Sequence, residues 1–255
     1  ALYGIKVAIN EELRAAFVWN PEARATLAFE RAERRLEEAA TLLKAGKLTP
    51  ALLVTIASNF EMQAEQATKD VDALNKTHSA SAITIASKFE TRVSAHSTLL
   101  GTMGAKDDGT LATVLEKTKV QVAGVRAEAE QVAKVAVLRE PSALMLVSTS
   151  TLPTTNDTSE QKAAASAASV ALKAALEGLQ AQLGDVEQDD TGSARLSAYI
   201  AAATSANAAG DALLAGGDYA GAYRRYQAGL IAAEQLSVFL KASIDLKIPV
   251  LELSF

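Results

Sequence analysis

Two histidines, His78 and His96, are the only imidazoles that could act as general bases or metal ligands, and the chain has no cysteine. On one continuous helix the two rings would share a face but stand about 27 Å apart, too far to hold one metal ion. Neither has a carboxylate three or four residues away, so each reads as a polar surface or hydrogen-bonded side chain. Without thiols there are no disulfides, thiolate metal sites or cysteine nucleophiles. A serine nucleophile needs a base within hydrogen-bond reach and an oxyanion site, and no G-x-S-x-G element supplies them. Glycine-rich phosphate loops are absent as well. The side chains thus point to a non-catalytic protein that acts through the shape and contacts of its elements.

The acidic run from Asp185 to Gly192 holds the one candidate metal site. Asp185, Glu187 and Asp189 alternate as the hard oxygen ligands of a Ca²⁺ loop do. Asp190 stands where such a loop needs glycine, and Leu196 where it needs a bidentate glutamate. A solvated loop between helices is therefore the competing reading, and no other cofactor is implied. Glu33-Arg34-Arg35-Leu36-Glu37-Glu38 has the charge density of a docking surface, yet Glu30, Arg34 and Glu38 at four-residue spacing make a self-satisfied helix face. Tyr219, Tyr223 and Tyr226 share a face, with Arg224 and Arg225 between them; that spacing suits a core or an interface better than base stacking.

The elements that must position these groups are helical, and the fold class expected is all-α. Asn20 can cap and Pro21 can take the first position of a helix, along which Phe29, Ala32, Leu36, Ala39 and Leu43 recur on one face; Gly46 ends it. Before it, Leu2, Ile5, Ile9, Leu13 and Phe17 predict a helix over 2–19, with Trp19 as a packing plug. Thr49-Pro50 repeats the cap-plus-proline start. The polar run Asn75 to Ser79 splits the following stretch into helices near 51–74 and 81–100, with one unbroken helix as the alternative. Thr110 opens a valine-rich helix ending near Pro141. Further helices follow over 157–183, 193–215 and 218–245. Antiparallel bundles in two sub-bundles are expected, 1–141 and 158–255, joined by a linker over 142–157. Extended segments are expected at 144–152 and 247–255. The apolar tail residues Ile248, Val250, Leu251, Leu253 and Phe255 need a partner for their backbone, on this chain or on a second copy.

The net charge of −5 falls on residues 151–255, the first 150 being balanced. Neither half has the basic field that nucleic acid binding requires. No run of about 18 apolar residues occurs, so no transmembrane segment is expected.

Leu2-Tyr3-Gly4-Ile5-Lys6, then Glu11, Phe17 and Pro21, and above all Ala32-Glu33-Arg34-Arg35-Leu36-Glu37-Glu38-Ala39, resemble an uncharacterised helical domain family found on the exported side of bacterial proteins. The likeness covers roughly residues 1–100. It implies a mature domain opening at the Leu-Tyr-x-x-Lys element, and no catalytic residues. Ala1 in place of methionine is compatible with signal-peptide cleavage, trimming or a chosen boundary; cleavage is the reading taken, so the expected location is extracytoplasmic or extracellular. A second stretch over 203–236, with Gly210, Leu213, Gly217, Tyr219, Ala222, Tyr226 and Gly229, resembles one tetratricopeptide unit. A single unit cannot build the groove of such arrays, so it implies a helical hairpin alone.

The leading expectation is a structural or assembly protein, a homo-oligomer or polymer such as a surface-layer or filament subunit. The alternative is a ligand- or peptide-binding sensory ectodomain, with a pocket between the sub-bundles lined by Tyr219, Tyr223, Tyr226 or Trp19.

Overall fold

Asn20 accepts a hydrogen bond from the Glu22 N–H at 2.9 Å, and Pro21 begins helix α1, Pro21–Lys44. Thr49 and Pro50 start α2, Pro50–Asn75, in the same way. The remaining helices are α3, Ser79–Thr102; α4, Thr110–Val132; α5, Thr158–Leu183; α6, Asp190–Ala215; and α7, Tyr219–Leu246. The computed structural model describes residues 20–104, 109–133, 158–184 and 190–247. Several expectations lie outside the described residues: the helix over 2–19 with Trp19, the segments 144–152 and 248–255, the tail residues Ile248, Val250, Leu251, Leu253 and Phe255, and Asp185, Glu187 and Asp189.

The described residues form an all-α bundle, and the predicted caps set its boundaries. Asn20→Ala removes the acceptor for an otherwise orphaned N–H at the start of α1. It is expected to lower the unfolding free energy by about 1 kcal/mol in urea titrations, with Asn20→Asp restoring most of it. α1 and α6 both end on left-handed turns. Gly46 has φ +65° and Gly217 φ +83°, and the following N–H groups reach back to Leu42 and Leu213 carbonyls at 2.8 and 3.0 Å. Only glycine takes that conformation without strain. The long apolar stretch after Pro50 is two helices, broken at 76–78 as the polar run predicts.

α3 is the central element, packing on α1, α2, α4, α5 and α7. Its buried side chains include Ile83, Phe89, Val93 and Leu99, together with the polar Ser87, Thr91 and His96. Phe89 meets Phe29 of α1 with ring centroids 4.8 Å apart. α7 packs tightly on α5 and α6, and small residues allow the approach. A Cβ on Gly229 would stand 2.8 Å from Leu172 Cδ2 and 3.0 Å from Ala206 Cβ. Among the described residues no helix is long and apolar enough to cross a membrane.

Candidate functional site

Three helices deliver charged side chains to one place because each carries them at one-turn spacing. Glu33 and Glu37 lie beside the apolar stripe of α1; Lys88, Arg92 and His96 follow one another along α3; Glu234, Lys241 and Asp245 lie on α7. Arg92 joins the three. Its Nη1 donates to both oxygens of Glu33 at 2.9 and 2.8 Å, and its Nε donates to Glu234 Oε2 at 2.6 Å. The guanidinium also stands 5.9 Å from the centre of the Phe29 ring. Lys88 approaches the other oxygen of Glu234 at 3.3 Å. Glu33 and Glu234 are 7% and 2% exposed, so these are buried ion pairs.

His96 is 4% exposed. Its Nε2 lies 3.4 Å from Glu33 Oε1, and its Nδ1 has no hydrogen-bond partner. Lys241 pairs with Glu37, where both side chains are partly exposed. These groups border a pocket between α1, α3 and α7 that is open to solvent. Apolar walls come from Ala40, Leu99, Val238 and Leu246.

Burial alone would raise the Glu33 pKa, but the hydrogen bond with His96 and the charge of Arg92 outweigh it and bring the carboxyl down to about 2. Burial likewise disfavours the Arg92 cation, and Glu234 followed by Glu33 more than compensates, holding the guanidinium above its ordinary value. Both groups are therefore ionised at neutral pH. Charged groups taken out of water lose several kcal/mol of hydration each, and only mutual attraction and good hydrogen bonds return it.

A second buried network lies elsewhere in the bundle. Arg126 of α4 donates to Glu90 at 2.7 Å and to Glu130 at 2.8 Å, and Glu130 also accepts from the Tyr223 hydroxyl at 3.0 Å. It ties α4 to α3 and α7.

The structure shows where several of the singled-out residues lie. His78 is exposed beside Thr77, as a polar surface residue, whereas His96 meets carboxylates supplied by a different helix. Spacing along its own helix could not show that. The acidic loop was the one metal candidate in the sequence, yet Glu33, Glu37 and His96 bring one ligand atom each within 4.8 Å of one another. Glu33 and Glu37, from the charged run 33–38, face this site, apart from the Glu30, Arg34 and Glu38 face. Tyr223 and Tyr226 are core side chains, and they stay out of the pocket; the Tyr226 hydroxyl donates to Asp211 at 2.6 Å. One Ser-x-x-Lys spacing, Ser159 to Lys162, opens α5 with both side chains exposed. The signal in the sequence for this cluster is the ladder of Lys88, Arg92 and His96 at four-residue spacing on α3, whose one other charged side chain is Glu90.

No curated protein and no solved structure matches the chain. The family described as a domain of unknown function, DUF5667, matches residues 1–188. That span includes α1 to α5 and five of the side chains of the site, Glu33, Glu37, Lys88, Arg92 and His96, while Glu234, Lys241 and Asp245 lie beyond it. The chain thus belongs to the DUF5667 family of uncharacterised domains.

Proposed function

We propose that this chain is a non-catalytic binding domain that takes a small, positively charged ligand in the pocket between α1, α3 and α7, and that it works on the exported side of a bacterial cell. One observation carries the reading: a network of buried ion pairs that opens on a pocket. Helix bundles hold together with apolar side chains alone, and a buried ion network of this kind gains little stability over them. Its location beside an opening is what supports a binding role. The three carboxylates that border the pocket, Glu33, Glu37 and Asp245, outnumber the two cations, Arg92 and Lys241. A cationic group thus finds excess negative charge there. The export reading is supported by the resemblance carried by residues 32–39, the stretch that supplies Glu33 and Glu37.

Thermal unfolding with a panel of small amines, amino acids and divalent metal salts tests the reading. A ligand that binds the folded state raises the midpoint with concentration, and Glu37→Gln is expected to remove the effect. If no compound shifts the midpoint while sedimentation shows mass growing with concentration, the binding reading falls and the assembly reading takes its place.

A further inference from the structure

We propose that Glu33, Glu37 and His96 form a site for a divalent transition-metal ion of the Zn²⁺ class, and that Lys241 is the cation holding its place on Glu37 until the metal enters. This rests on the binding reading and names the class of ligand.

The donor set is one imidazole and two carboxylates, which suits a borderline ion such as Zn²⁺ and is short of the six to eight oxygens that Ca²⁺ takes. Ligand atoms about 2.0–2.1 Å from a tetrahedral ion stand roughly 3.3–3.4 Å from each other. The Glu33 Oε1 to His96 Nε2 separation of 3.4 Å is long for a hydrogen bond and equal to that spacing. The third donor lies within 4.8 Å, a shift that a rotamer adjustment of the partly exposed Glu37 supplies. His96 supports the same site: its ring is buried at the pocket wall, and ligation through Nε2 would replace a contact with Glu33 that is long for a hydrogen bond.

The neighbouring groups fit the same purpose. Arg92 binds Glu33 through both oxygens, fixing the carboxylate while leaving it lone pairs to offer, the role that outer hydrogen-bond partners play around metal ligands. Lys241 is about half exposed, and its long stem can carry the ammonium back to water when a doubly charged ion arrives. The opening toward solvent is the entry path.

The test is titration of chelator-treated full chain with Zn²⁺ by calorimetry, and with Co²⁺ by visible absorption. One equivalent is expected to bind, with Co²⁺ bands of a four- or five-coordinate ion. Glu37→Gln should weaken binding at least about tenfold, His96→Gln should remove the Co²⁺ bands, and Lys241→Met should tighten binding. Because Glu37 and Lys241 lie at the partly exposed mouth, those two variants keep the test valid even if His96→Gln fails to fold. Zn²⁺ binding that all three variants leave unchanged would overturn the proposal, as would no binding. If Zn²⁺ fails but an organic amine raises the unfolding midpoint through Glu37, the metal site is disproved and the binding domain stands.

Discussion

Arg92→Met is expected to lower the free energy of unfolding by about 3–5 kcal/mol, the usual consequence of removing one partner from a buried ion network. Among the described residues Arg92 alone bonds both Glu33 and Glu234, and those two carboxylates come from α1 and α7, the first and last of the described helices. Without the guanidinium, Glu33 keeps only its long contact to His96, and Glu234 keeps only Lys88 at 3.3 Å. Glu33 carries part of this: the His96 hydrogen bond and the Arg92 charge together bring its pKa from 4.5 to about 2, which corresponds to ~3 kcal/mol of stability at neutral pH, and Arg92→Met removes the Arg92 share of it.

The sign with pH follows from that direction. A carboxyl whose folded pKa is depressed contributes fully above its unfolded value near 4.5 and loses the contribution as pH falls toward 2. The difference between the native chain and Arg92→Met should thus be largest at neutral pH and shrink as pH falls below about 4.5. Adding Glu33→Gln to Arg92→Met should recover part of the loss, because one stranded charge is gone. Urea unfolding at several pH values measures all of this. A loss under about 1 kcal/mol at pH 7, or one that does not shrink in acid, would show that the network behaves as a solvated surface pair.

Gly210→Ala should destabilise the bundle by about 2 kcal/mol, although alanine is the better helix former by about 1 kcal/mol. Gly210 lies on α6 against the ring of Tyr226, and an added Cβ would stand 2.5 Å from Cε1 and 2.7 Å from Cδ1. The ring cannot easily yield. Tyr226 is fully buried, and its hydroxyl is held by Asp211 at 2.6 Å. In a Tyr226→Ala background the obstruction is gone, and Gly210→Ala should become neutral or stabilising. Such a change of sign in a double-mutant cycle is a coupling that helix propensity alone cannot produce. If Gly210→Ala stabilises the native chain outright, α6 and α7 are not packed this closely.

The elements were largely legible in the sequence. Asn20-Pro21, Thr49-Pro50, the polar run at 75–79 and Gly216-Gly217 each act on the backbone within a few residues, so the helix boundaries they predict depend on little else. The stripe Phe29, Ala32, Leu36 and Ala39 is buried as its period implies. Periodicity says which side of a helix turns inward. It does not say which other helix that side meets.

The site belongs to that second question. Glu33 and His96 are 63 residues apart, and Arg92 and Glu234 are 142 apart. No rule of spacing links such residues, because partners across a bundle are chosen by how whole faces pack. Here many faces are built from alanine, and alanine faces have little shape to distinguish one neighbour from another. By itself, then, the sequence determined where the helices start, stop and turn their apolar sides, since those are matters of local hydrogen bonding and 3.6-residue periodicity. Only the tertiary structure decided that α3 lies at the centre and brings Arg92 and His96 between the carboxylates of α1 and α7, because burying charge is tolerable only where packing places an opposite charge within reach.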